Sequence, residues 1–363
     1  MNRSVLIIIF ITFLLMNAPN VCSYTASGLN QIGDGQIKHV IIIVEENEAY
    51  NSIVNSTEAP YQNQLIRQYA VAGNYFSIES PSLPNYLDLT AGSDMGITTD
   101  CSPSPSCQVT GRMTNIADLL NSSNLSWKEY AESMPAPCYL ADSGNYAVRH
   151  NPFVYYTDIT SNSAYCDQHV VPMNDTTGLV QDLQSGSLPN FSFVTPNPCD
   201  DGHDSCNSAL TQVKQADNWL SLMVPKIIES PEFASTVLFL VYDEGNTSPS
   251  SQVVCIVVSP FVRTGYVSNA YYTHFSLLAT IENIFGLSSM GRNDSKSAAM
   301  SDMFASGSSG ATQSNSSSSS ISSNTKSGAI TPAQSAEILI VVALVASVIV
   351  LSIVKRNPFS RYL

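Results

Sequence analysis

Charge is scarce in this chain, and positive charge scarcest: charged residues make up 12%, with 15 Lys and Arg against 29 Asp and Glu, for a formal net charge of -14. No cluster of Lys and Arg occurs between the two ends of the chain. This excludes a nucleic-acid backbone as the partner, because phosphates at that density need grouped cations. Closely paired Cys-x-x-Cys is absent too, which argues against a thiolate zinc site. The chain has no internal repeat.

The two ends differ from the rest. Residues 1–23 combine a positive start at Arg3, an apolar stretch over 5–16 and small residues near Ser23, the pattern of a secretory signal peptide. Residues 338–354 form an uncharged apolar run just long enough to span a bilayer, and Lys355, Arg356 and Arg361 follow it. That order predicts a C-terminal transmembrane helix, a cytoplasmic tail over 355–363, and a single-pass cell-membrane protein whose body is extracellular. A lipid-anchor signal is the competing reading, but such signals normally end in the apolar stretch. Between core and anchor, 295–332 is rich in Ser and Gly and reads as a stalk. The folded part is expected over 31–292, as one α/β domain. Sequons at Asn55, Asn121, Asn124, Asn174, Asn190, Asn246, Asn293 and Asn315 would permit glycosylation. Cys101/Cys107, Cys138/Cys166 and Cys199/Cys206 are the nearest-neighbour disulfide set, one of many connectivities the spacing allows. Cys255, in VVCIVVSP, fits a buried strand where a thiol packs as a small apolar group.

Three apolar runs each stop at acidic or metal-binding residues: HVIIIVEEN (39–47), FSFVTPNPCDDGHD (191–204) and TVLFLVYDEG (236–245). Short β-branched runs of this kind read as strands buried on both faces of a parallel sheet, and ligands of such sheets sit beyond the strands' carboxyl ends. Glu45, Glu46, Asn47, Asp200, Asp201, His203, Asp243 and Glu244 are therefore expected at one edge, as a metal site. SPSLPNYLDLTAGSDMG (80–96) adds a turn and the start of a helix near Tyr86, which would carry Ser82 on its N-terminal approach. A helix N-terminus attracts phosphate oxygens, and a metal can lower the pKa of a serine hydroxyl.

Five ordered blocks, KHVIIIVEENEAYNSIV, PSLPNYLDLTAG, PNPCDDGHD, VYDEG and SPFVRTGYVSNAYYTHFSLLATIENIFGL, resemble the phosphoesterase family of bacterial acid phosphatases and phospholipases C, within the alkaline-phosphatase-like superfamily. The resemblance runs from Lys38 to about Leu287. It implies a mostly parallel central sheet flanked by helices. Carried over by position, it implies metal ligands at Glu46, Asn47, Asp201, Asp243 and Glu244, and a metal-bound nucleophile at Ser82, which precedes a Pro-Asn pair by two residues. It also implies His203 and His274 as groups that hold a second metal, orient phosphate oxygens or protonate the leaving group.

With these residues, the resemblance implies a metal-dependent phosphomonoesterase of acid-phosphatase type working through a phosphoseryl intermediate. The oxygen-rich ligand set suits Mg²⁺, Ca²⁺ or Mn²⁺, and the histidines keep Zn²⁺ and iron open. The expected substrate is a phosphate-ester small molecule or a phospholipid. A phospholipase C or other phosphodiesterase of the same family is the alternative, and a catalytically inactive surface adhesion or envelope protein comes from another class. A sulfatase-like reading fails because SLPNY lacks the Arg of a Cys/Ser-x-Pro-x-Arg motif. Residues 100–177, with four cysteines and many tyrosines, are expected as a disulfide-braced insertion overhanging the site.

Overall fold

The computed structural model describes residues 31–112, 115–245 and 250–305. The apolar runs become strands. β1 (His39–Glu45), β2 (Ala70–Ala72), β3 (Tyr75–Phe76), β4 (Trp127–Glu132), β5 (Val170–Met173), β6 (Phe191–Thr195), β7 (Thr236–Tyr242), β8 (Cys255–Val258), β9 (Tyr266–Ser268) and β10 (Tyr272–Thr273) form two sheets. The main sheet has 8 strands in the order β5-β4-β6-β1-β7-β8-β2-β9, and a small parallel pair joins β10 to β3. Every strand of the main sheet is parallel to β1 except β8, which is antiparallel to both β7 and β2. β6, β1 and β7 are thus adjacent and parallel, and their acidic tails leave the sheet at the same edge.

Strand periodicity sorts the side chains between the two faces, because successive residues point to opposite sides. Ile42 is paired with Phe193 and Phe239, and Tyr86 packs its ring 6.1 Å from Phe193. This face carries helix α2 (Ser82–Ala91), against which helix α4 (His274–Phe285) packs. On the other face, Tyr242 donates to Gln62 of helix α1 (Pro60–Gln68), and Trp219 of helix α3 (Gln212–Ile228) donates to Glu132. Both faces are covered, so β1, β6 and β7 are almost wholly buried, as their lack of alternation predicts.

The structure modifies several expectations. Helix α2 begins at Ser82, earlier than the expected start near Tyr86, with Pro84 in its first turn, where a missing N–H costs nothing. Residues 100–177 are more than an overhang: they supply β4 and β5 to the main sheet. The folded core also runs past 292 into the expected stalk. Met300 and Met303 are fully buried, and Asp302 accepts hydrogen bonds from Tyr266, Ser268 and Tyr272. The three nearest-neighbour disulfides are formed, and Cys255 is a buried free thiol.

The single-pass cell-membrane placement is corrected: among the described residues, no helix is long and apolar enough to cross a membrane. The segments behind that expectation, namely the signal peptide at 1–23, the apolar run at 338–354 with its transmembrane helix, and the tail at 355–363, lie outside the described residues, as do the sequons at Asn246 and Asn315.

Candidate active site

Glu46 is the centre of the cluster at this edge. It follows the last residue of β1, fully buried, on the α2 face. Ser82 Oγ donates to Glu46 Oε2 at 2.9 Å, and Tyr86 OH, one helical turn on, donates to Glu46 Oε1 at 2.5 Å. The i, i+4 spacing puts both hydroxyls on one face of α2. Asn47 adopts a left-handed backbone, φ 58°, which lets its N–H reach Asp243 Oδ1 at 3.1 Å while its side-chain amide lies 3.4 Å from Glu46 Oε2. The main chain ties the three strand ends together: Glu46 N donates to Asp201 O at 2.9 Å, and Asp243 N donates to Glu45 O at 3.0 Å.

Asp201 and His203 are brought in by a tight loop after β6. His203 N donates to Asp201 Oδ1 at 2.7 Å, and the Cys199–Cys206 bridge closes the loop. Gly202, at φ +90°, occupies a conformation that L side chains rarely adopt, so the glycine of the Asp-Gly-His-Asp block is needed by the turn. His203 donates through Nδ1 to Asp204 at 2.7 Å, and its Nε2 accepts from Arg149 Nη2 at 3.3 Å.

A residue that sequence reasoning missed completes the cluster. His150 ends a 3-10 turn (Val148–His150) within 100–177 and is fully buried. Its Nε2 lies 3.4 Å from Glu46 Oε1 and its Nδ1 lies 3.2 Å from Asp201 Oδ2, neither aligned as a hydrogen bond. Thr195, the last residue of β6, donates to the His150 carbonyl at 3.0 Å and so pins the turn to the strand end. No apolar run precedes His150, so nothing in the local pattern marks it. An Arg-His pair in a tyrosine-rich insertion was the only signal.

The other expected residues divide. Glu244 lies nearby with Oε2 buried and unpartnered. Glu45 points to the opposite face, because it is paired with Tyr242, whose hydroxyl reaches α1. Asp200 is also drawn away, bonded to Asn197 beside Glu132, where it helps line a cavity of about 970 Å³ that does not include Ser82. His274 sits beneath the cluster. Its Nε2 donates to the Asp243 carbonyl at 2.6 Å and its Nδ1 accepts from Tyr75 OH at 3.0 Å, so both nitrogens are engaged by protein.

The electrostatics follow from burial. Glu46 and Asp201 are raised well above the usual carboxylate range, first by burial and then by neighbouring carboxylates, and Asp243 is pushed up to about 7 by burial and Glu244. Burial lowers His150, and Arg149 and His203 add to the effect, which favours the neutral ring. Asp201 Oδ2, Asp243 Oδ2, Glu244 Oε2 and both His150 nitrogens are buried without hydrogen-bond partners. Ligand atoms of Glu46, His150 and His203 all lie within 4.8 Å of one another. Convergent buried carboxylates and neutral imidazole nitrogens fit a divalent cation, which would satisfy them together.

The chain is 30% identical to the phosphate-repressible acid phosphatase of Penicillium chrysogenum over 64% of its own length and 56% of that protein. It is 30% identical to the phosphatidylinositol-3-phosphatase of Mycobacterium tuberculosis over 70% of its own length and 78% of that protein. It therefore spans about half of one of these relatives and most of the other. A Vibrio parahaemolyticus protein in the alkaline phosphatase superfamily shares the fold, with a TM-score of 0.50, 15% identity, and coverage of 74% of this chain and 72% of that one. Residues 52–288 match the model of the Phosphoesterase family. That match includes Ser82, His150, Asp201, His203 and Asp243, and the chain belongs to the Phosphoesterase family.

Proposed function

We propose that the protein is a metal-dependent phosphomonoesterase in which Ser82 is the nucleophile. The observation that carries this reading is the hydrogen bond from Ser82 Oγ to Glu46 at the N-terminus of α2, inside the cluster of Asp201, Asp243 and His150. A divalent cation held by Glu46, Asp201, Asp243 and His150, with Asn47 and Glu244 alongside, would lower the pKa of the serine hydroxyl and offset phosphate charge. Three carboxylates favour Mg²⁺, Ca²⁺ or Mn²⁺, and the imidazole admits Zn²⁺ or iron.

The chain's own groups do the rest. Ser82 Oγ gives its proton to Glu46, to which it is already hydrogen-bonded, and forms a bond to phosphorus as the ester oxygen leaves. His203, fixed through Nδ1 by Asp204, enters the cycle protonated at Nε2, with Arg149 turned from it to the substrate, and gives that proton to the departing alcohol. The imidazole then takes a proton from the water that cleaves the phosphoseryl intermediate, and Ser82 Oγ recovers its proton from Glu46 as its bond to phosphorus breaks. His274 holds the Asp243 carbonyl and so positions that carboxylate. An inactive adhesion protein would have no use for so many buried ionisable groups, which cost stability.

The test is hydrolysis of a chromogenic phosphomonoester by the full chain across pH, with and without chelator, beside Ser82→Ala. Activity that requires a divalent metal and vanishes in the variant supports the reading. A folded, metal-loaded protein inert on this ester but active on a phosphodiester or a phospholipid would favour the phospholipase C alternative. Silence on all of them would favour the inactive one.

A further inference from the structure

The site is rich in carboxylates and a phosphate ester is itself an anion, so the cluster needs a cation facing the substrate. Arg149, the neighbour of His150 in the same 3-10 turn, is placed there. Its side chain remains 25% exposed, with Nη2 3.3 Å from His203 Nε2 and Nε 3.8 Å from Asp100 Oδ2. Asp100 in turn accepts from Leu83 N at 3.0 Å, the amide that follows Ser82 at the start of α2. One carboxylate thus lies between a guanidinium and a first-turn helix N–H, the two kinds of donor that a phosphate oxygen takes.

We infer that Arg149 is the substrate-binding residue that grips two non-bridging oxygens of the phosphoryl group, and that Asp100 is a resident carboxylate which holds Arg149 and the Leu83 amide until substrate replaces it. This inference rests on the phosphomonoesterase reading and names the substrate class. A monoester has three terminal oxygens, enough for a two-point guanidinium contact with one left to face the cluster. A diester has only two and must give up one of those contacts. Arg149 therefore selects monoesters over diesters, by geometry and by charge.

The full chain and its Arg149→Ala and Arg149→Lys variants are compared on 4-nitrophenyl phosphate and bis(4-nitrophenyl) phosphate, with calorimetric titration of inorganic phosphate into the metal-loaded proteins. Arg149→Ala is expected to lower kcat/KM for the monoester about 100-fold and for the diester less than about 3-fold, with phosphate affinity falling in parallel. Arg149→Lys, a point charge without the fork, keeps the monoester defect. Asp100→Asn tightens phosphate binding by removing the competing charge. Equal losses on both esters, the result expected if Arg149 only orients His203, would overturn the inference, as would unchanged phosphate affinity. If Arg149→Ala unfolds, Arg149→Lys decides: a wild-type preference between the esters refutes the two-point contact. Should the wild type cleave neither ester, the phosphomonoesterase reading fails, and the phosphate titration alone still judges Arg149.

Discussion

Tyr86 lies flat against His150, with ring centroids 5.4 Å apart and planes 4° from parallel, and the same tyrosine donates its hydroxyl to Glu46. A single side chain of α2 thus orients two prospective metal ligands, one at the end of β1 and one delivered by residues 100–177. Tyr86→Phe keeps the stack and removes the hydrogen bond, whereas Tyr86→Ala removes both. The expected order of divalent-metal affinity is wild type, Phe, Ala, with a loss of about 10-fold or more for Ala. Chelator titration followed by metal-dependent stabilisation reads that order, and equal affinity in all three would remove Tyr86 from the site's support.

The two fully buried histidines have opposite partners, and substitution separates them. His150→Gln leaves Thr195 bonded to the backbone and takes away a neutral nitrogen donor, so metal affinity falls with little change in the melting of the metal-free protein. His274→Ala orphans the Asp243 carbonyl and the Tyr75 hydroxyl, at a cost of about 1–3 kcal/mol in the metal-free protein. Urea denaturation with and without metal distinguishes the two.

The segment past 292 is tied to the core by Asp302, which draws three hydroxyls, two from β9 and one from β10. A chain ending at 292 loses that acceptor along with Met300 and Met303, and is expected to melt lower than one ending at 305. Asp302→Ala within the full chain should cost about 2–4 kcal/mol, since charge-assisted bonds exceed neutral ones. An unchanged denaturation midpoint would show that the last segment adds nothing.

One contribution to stability grows in acid. Glu282, in α4, is pushed up to about 8 from an ordinary value of 4.5, first by burial and then by Asp294. The folded state therefore binds more protons than the unfolded state between those values. The contribution is fully present below about pH 4.5 and is lost as pH rises toward 8. Burial also raises Glu45, Glu129 and Asp88, which act in the same direction. The melting temperature is expected to fall from pH 5 to pH 8, and Glu282→Gln should flatten the decline. A slope unchanged in that variant would assign the effect to the other carboxylates.

The sequence by itself determined the sheet's centre and the edge where buried acidic groups gather. HVIIIVEEN, FSFVTPNPCDDGHD and TVLFLVYDEG carry the apolar content of strands covered on both faces, and polar groups follow wherever such a strand emerges. Ser82 was singled out by the resemblance of PSLPNYLDLTAG to a family block, since a serine in a Pro-rich turn taken alone reads as a turn residue. Tertiary structure alone decided which of two neighbouring carboxylates faces the serine. Glu45 and Glu46 are equivalent as letters, but strand pairing fixes the parity of β1 and sends their side chains to opposite sides of the sheet. It alone supplied His150 and Arg149, which lie far along the chain from Glu46 and in no regular pattern. Their approach depends on Thr195 pinning a turn to the end of β6, a contact that exists only once β6 has paired with β1 and β4.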